Sequence, residues 1–246
     1  MAAIDRISPS IRPTLSSSGR QRWDELLFAH WKVEAGLLRD LVPDELELDL
    51  YKGDAWVGVV PFLMRDIRPW WLPKWMAFNF LETNLRTYVH HRGVPGVYFH
   101  SLEASSYLAV KAARALWSLP YWHAEMQSAR DGERISYHST RTKGLGSLDV
   151  EYEIGEELGP SQPGTFEHFL LERYYLFTTR RGKLLQGQVH HTPYPAFEAK
   201  VTTIDESLFA AVGLPPTSRP PDVVHYSPGV SVEMFGPWPV NTPSDE

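Results

Sequence analysis

Glu82, Asn84 and Arg86 stand at every second position of FNFLETNLRTY, residues 78–88. In an extended chain, side chains two apart share a face. A carboxyl, an amide and a guanidinium are therefore expected together, framed by Phe78, Phe80 and Tyr88. Glu82 suits acid–base work, and Arg86 suits bidentate capture of an anionic group. A few convergent polar groups among apolar ones is the usual make-up of a ligand pocket. The opposing reading is a solvent-facing strand on which Glu82 and Arg86 form an ion pair.

Two further clusters carry chemistry. After Leu119-Pro120 come Tyr121, Trp122, His123 and Glu125. Histidine titrates near neutrality, so His123 can serve as a base or a hydrogen-bond donor. In QVHHTPYP, residues 188–195, Gln188 and His190 fall on one strand face and His191 on the other. Glu82 is the candidate catalytic group. Asn84, Arg86, Tyr98, His100, Tyr121, His123, Gln188 and His190 are the candidate substrate-binding groups. Lys111 sits on a helix face expected to be solvated, which disfavours a Schiff-base role. The ten histidines include no recognised metal spacing, and no metal is expected. Dinucleotide, P-loop and G-x-S-x-G motifs are absent from the sequence, and no cofactor is expected.

The elements that must position these groups read mostly with period two. Strands are expected over 46–50, 55–64, 77–89, 96–101, 135–142, 147–154, 174–179, 183–191, 197–204 and 223–235, with a hairpin turn at Arg180-Arg181-Gly182. Helices are expected over 34–41, 105–117, 166–172 and 206–212, the last two capped by Thr165 and Asp205. In the longest helix, Ala104, Leu108, Ala112, Ala115 and Leu116 form an apolar stripe expected to pack on the sheet. The fold class is α+β, predominantly antiparallel β, with a few short helices. Closure into a barrel or cone would remove exposed edges. The tryptophans of WWLPKW, residues 70–75, are read as closing an apolar mouth.

One domain over 21–240 is expected, with a flexible N-terminal arm over 1–20 and a tail over 241–246. The chain is mildly acidic, 30 carboxylates against 24 Lys and Arg. That balance argues against nucleic acid, which needs a basic footprint. The absence of cysteine excludes disulfides, thiolate metal sites and a cysteine nucleophile. Neither a signal-like apolar segment nor a membrane-length run is present, so no membrane partner and a cytoplasmic location are expected.

Taken together, Glu34–Leu50, Phe78–Val89, Gly96–Glu103, Leu119–Met126 and Val189–Pro195 resemble the YqjF-like family of uncharacterised bacterial proteins (DUF2071), within the acetoacetate decarboxylase-like superfamily. The resemblance covers roughly 21–235. It implies an antiparallel barrel or cone with a central cavity, and allows a homo-oligomer without dictating its number. In the decarboxylases a Phe-Pro pair precedes two adjacent lysines, one of which forms an imine. Here Leu119-Pro120 matches the pair and Tyr121-Trp122 takes the lysine places, which removes imine chemistry there. The implied protein is a small-molecule pocket protein, with catalysis on a carboxylate- or carbonyl-bearing metabolite left open. The alternative is a non-catalytic ligand-binding or sensory barrel using the same cavity.

Overall fold

The computed structural model describes residues 4–240. The tail expected over 241–246 lies outside the described residues. Twelve strands and four short α-helices make up the described chain: β1 Gly19–Val33, α1 Ala35–Arg39, β2 Glu47–Leu48, β3 Ala55–Pro69, β4 Phe78–His91, β5 Val94–Ala104, α2 Tyr107–Trp117, β6 Tyr121–Asp131, β7 Arg134–Arg141, β8 Ser147–Pro160, α3 Phe166–Leu171, β9 Tyr175–Arg180, β10 Lys183–His190, β11 Pro195–Glu206, α4 Leu208–Ala211 and β12 Val223–Pro239. All strands join one sheet, and its pairs are antiparallel except β5–β6 and β5–β9.

The sheet closes on itself twice. β5 pairs with β4 along one edge, while its other edge is shared, Val97–Tyr98 with β9 and Leu102–Ala104 with β6. β12 forks likewise, with β1 on one edge and both β11 and β10 on the other. One ring therefore runs β12-β1-β3-β4-β5-β9-β10, and a second runs β12-β1-β3-β4-β5-β6-β7-β8-β11. The two share the wall β12-β1-β3-β4-β5.

That shared wall explains its composition. Alternate residues of a strand point to opposite faces, and here each face looks into a core. Leu26 and Phe28 of β1, Val60 and Phe62 of β3, and Phe80 and Tyr88 of β4 join the first core. Leu27, Ala29 and Trp31, Val57 and Val59, and Leu85 join the second. A strand buried on both sides loses its polar–apolar alternation. This is why β1, absent from the expected strands, escapes a period-two reading.

α2 corrects the sequence expectation. Ser106 caps it, its hydroxyl accepting from Ala109 N at 3.3 Å. Its packed face is Ala109, Val110, Ala113 and Trp117, which contact the first core. The stripe Leu108, Ala112, Ala115 and Leu116 instead points to solvent, with Leu108 70% and Leu116 64% exposed. The sheet offers α2 one side only, and Val110 and Trp117 occupy it. Thr165 caps α3 as expected, accepting from His168 N. α4 begins later than expected, and the side chain serving its first turn is Glu206, not Asp205. The loop tryptophans Trp70, Trp71 and Trp75 are 68%, 66% and 82% exposed and cover no mouth.

The N-terminal arm contacts the first ring at several points. Asp5 N donates to Gly93 O, Arg6 pairs with Asp49, Pro9 is buried, and Arg12 pairs with Glu233. At the β5–β9 crossing, a Cβ on Gly96 would meet Tyr175 O at 2.6 Å, and backbone cannot swing aside. Gly96→Ala is expected to destabilise by about 2–3 kcal/mol, read as a lower urea midpoint; an unchanged midpoint would refute that close approach.

Candidate active site inside the first ring

β3 pairs with β4 without interruption from Val57↔Thr87 to Met64↔Phe80, so the alternation expected for β4 is preserved there. Glu82, Asn84 and Arg86 lie on the face shared with Phe80 and Tyr88 and are 2%, 6% and 8% exposed. Four strand positions, about 13 Å of backbone, separate Glu82 from Arg86. Their side chains form no ion pair among the described residues, and neither faces solvent.

Glu82 is bonded to Tyr121, whose hydroxyl donates to Oε2 at 2.7 Å. Burial is the main force on this carboxyl and lifts its pKa to about 8. The Tyr121 hydrogen bond opposes the rise, and the charge of Glu103 adds to it. Near neutrality Glu82 is therefore largely protonated, with a pKa suited to giving and taking protons. Burial, then the Glu82 charge, holds the Tyr121 phenol well above its usual range, so it stays a donor. From the other face of the wall, Tyr137 OH donates to Glu82 O at 2.8 Å and fixes the backbone.

Tyr121 thus turns inward, and Trp122 turns outward between the guanidinium groups of Arg114 and Arg141, 5.6 and 4.6 Å from its ring. Lys111 is exposed, with Nζ 4.8 Å from the Tyr107 ring centre.

Arg86 lies between the rings of Phe28 and Tyr88, at 5.4 and 5.8 Å. Its Nη2 donates to Leu170 O at 3.2 Å, and its Nε has no hydrogen-bond partner among the described residues. No carboxylate lies within ion-pair distance of it among the described residues. The Leu170 carbonyl also accepts from Tyr88 OH at 2.9 Å, and Tyr88 in turn accepts from His30 Nε2 at 2.6 Å. The Nδ1 of His30 makes no well-formed hydrogen bond among the described residues. Burial, then the charge of Arg86, keeps it neutral. His191 is fully enclosed beside Trp23, Tyr174 and Tyr194. Its Nδ1 donates to Thr192 O at 2.8 Å, leaving Nε2 bare, and burial lowers its pKa to about 4. Asn84 Oδ1 and Trp23 Nε1 are also buried without partners among the described residues. Buried polar atoms are rarely left so; Arg86, Asn84, His30, His191 and Trp23 each contribute one here, and others lie elsewhere in the described chain.

The remaining expected groups are placed elsewhere. A β-bulge between Leu85 and Arg86 in the β4–β5 pairing leaves His100 as the extra residue of β5 and breaks its alternation. Tyr98 packs against the third core cluster, with Val89 and Phe177, and His100 sits edge-on to it. Burial lowers His100 to about 4. His123 is half-buried, against Thr142 Oγ1 and the Tyr107 ring. Gln188 is buried but donates to Pro9 O of the arm at 3.1 Å. His190 ends β10 opposite Glu233, half-exposed. Of the two adjacent histidines, His191 is the enclosed one. His30 and His191 carry no motif; the signal available was a histidine inside the apolar run LLFAHW, residues 26–31.

At one end of this ring a buried ionic cluster joins three distant segments. Asp49 accepts from Arg6 and from Arg173, each at 2.6 Å, and Arg173 stacks on Phe169 and Tyr88. It anchors α3, which supplies the Leu170 carbonyl.

Comparison with known proteins agrees with this architecture. Uncharacterized protein YqjF of Bacillus subtilis (strain 168) is 38% identical over 224 residues, 90% of each chain. Among solved structures, the enduracididine biosynthesis enzyme MppR complexed with pyruvate superposes with a TM-score of 0.64 at 12% identity, covering 93% of this chain and 92% of that one. Acetoacetate decarboxylase from Legionella pneumophila gives 0.62 at 13% identity, covering 96% and 94%. The fold is thus acetoacetate decarboxylase-like. The DUF2071 family, described as "Uncharacterized conserved protein", matches residues 20–231, and the chain belongs to that family.

Proposed function

We propose that the first ring binds a small carboxylate- or carbonyl-bearing metabolite and acts on it as an enzyme, without a Schiff base. Arg86 carries the reading. A guanidinium sunk in an apolar core with no carboxylate opposite is costly unless an anion completes it. A ligand carboxylate supplies that charge and can take the free Nε in a charge-assisted hydrogen bond. Asn84 and the bare nitrogens of His30 and His191 offer the ligand further polar contacts. Glu82, poised near neutral pH and steadied by Tyr121, is the proton carrier. The fold is shared with a decarboxylase and with an enzyme captured with pyruvate, which supports the choice of chemistry. Tyr121 in the lysine place directs it away from imines.

Thermal denaturation with pyruvate, acetoacetate and levulinate, against acetone as the uncharged comparison, tests the proposal. At a hundredfold excess over Kd, a true ligand stabilises by about 2.7 kcal/mol. At least one keto acid is expected to raise Tm while acetone does not, and Arg86→Met should abolish the shift. An equal shift in Arg86→Met would remove the anion site. Consumption of the bound keto acid, followed by NMR, is expected to stop in Glu82→Gln with binding retained. Binding with no consumption by the wild-type chain would favour the non-catalytic barrel.

A further inference from the structure

Two nitrogens of neighbouring rings have opposite hydrogen-bonding roles that nothing in the chain answers. His191 is 3% exposed, and burial, lowering its pKa to about 4, keeps it neutral near pH 7. A neutral imidazole carries one proton. Nδ1 holds it, because its partner at 2.8 Å is the Thr192 carbonyl, which only accepts. Nε2 is thus a bare lone pair that can only accept. The indole Nε1–H of Trp23 can only donate. Both atoms are buried without a partner among the described residues, and the two rings lie 5.9 Å apart between centres. A chain of ring contacts ties the pair to both ends of the candidate site. Towards Arg86, His191 lies 4.6 Å from Tyr194, Tyr194 lies 5.2 Å from Phe28, and the Arg86 guanidinium lies 5.4 Å from Phe28. Towards Glu82, Trp23 meets Phe62 edge to face at 5.9 Å, and Phe62 is the β3 partner of Glu82.

We propose that Trp23 and His191 form a hydroxyl subsite, and that the ligand anchored by Arg86 is a hydroxylated carboxylic acid. This rests on the first ring being the ligand site. The pair selects among functional groups. A hydroxyl oxygen accepts from the indole N–H while its own proton goes to Nε2, so one atom answers both rings. A ketone or ether oxygen answers only Trp23, and an ammonium answers only His191. A carboxylate sets its lone pairs against that of Nε2. Each of these leaves a buried partner unpaired, and binding weakens by the desolvation of that partner. Sites that bond a substrate hydroxyl reject the analogue lacking it for the same reason. Neither ring is free to turn away. His191 is stacked on Tyr174 at 4.7 Å and held by Thr192, and Trp23 is set against Phe62. The subsite is therefore formed before the ligand arrives, which lowers the ordering cost of binding.

Calorimetric titration with 2-, 3- and 4-hydroxyvalerate, each against its methyl ether and against valerate, tests the subsite. The positional series covers the spacing between carboxylate and hydroxyl, and the ether keeps the acceptor while losing the donor. At least one hydroxy acid is expected to bind the parent chain roughly tenfold or more tighter than both its ether and valerate, the effect of one hydrogen bond. His191→Phe keeps an aromatic ring between Tyr174 and Tyr194 and should bring that hydroxy acid and its ether within about twofold of each other. Trp23→Phe should weaken hydroxy acid and ether alike and leave valerate unchanged. A parent chain that binds valerate as tightly as every hydroxy acid would overturn the proposal, because the gap then holds water only. A hydroxyl preference undiminished in His191→Phe would overturn it as well. The anion site fails or stands separately: valerate bound by the parent and lost in Arg86→Met keeps that site even where the hydroxyl adds nothing. A series of which the parent binds no member would overturn both readings.

Discussion

Asp49→Asn is expected to cost about 3–5 kcal/mol, the usual penalty for stranding a buried charge. The Asp49 side chain is wholly buried, and so, within 1%, is that of Arg173. Removing the carboxylate leaves a guanidinium between Phe169 and Tyr88 with no counter-charge. Arg6 is 25% exposed and can turn to water. Arg6→Ala should therefore cost less, about 2 kcal/mol for the charged hydrogen bonds lost. Urea unfolding at pH 7 measures both, and equal costs would show that Arg173 does not depend on Asp49. Burial alone would raise the Asp49 pKa, yet Arg6 and Arg173 together hold it below the usual 3.8. Its contribution is thus fully present above pH 3.8 and lost as pH falls through the lower folded value. Asp49→Asn should flatten the fall in stability below pH 4.

Glu82→Gln is expected to have the opposite sign. The folded pKa of about 8 lies well above the usual 4.5 of a glutamate. The stability associated with the protonated acid is present below pH 4.5 and lost as pH rises through about 8, a penalty on the order of 5 kcal/mol when complete. Glutamine never ionises, so the variant should match the parent near pH 4 and exceed it by several kcal/mol at pH 9. If the parent lost no stability between pH 5 and 9 relative to the variant, Glu82 would not be a buried acid of raised pKa.

Part of the site is legible in the chain because it depends on one strand. Glu82, Asn84 and Arg86 share a face by period two alone, and that face is inward because Phe80 and Tyr88 accompany them. Tyr121 is legible as a polar group after Leu119-Pro120, but its bond to Glu82 spans 39 positions. Arg173 meets Asp49 across 124 positions. Periodicity has no information about such partners.

The errors have the same origin. On α2 both faces are apolar, and which is covered depends on the single side the sheet presents. In β5 one extra residue at the bulge moves His100 and Tyr98 away from the face that alternation assigns. In the pair His190-His191, opposite orientation follows from the sequence, but the enclosed member depends on β10 ending at His190.

Local steric rules within the chain therefore determined the cap at Thr165, the polar row on β4 and most of the strands, though not β1 or β6. Tertiary structure decided that the row lies inside a closed ring, that Arg86 has no carboxylate opposite it among the described residues, and that Glu82 is a protonated acid near neutral pH. Those are properties of burial and of neighbours distant in sequence. Desolvation acts on a group only when other segments have shut the water out.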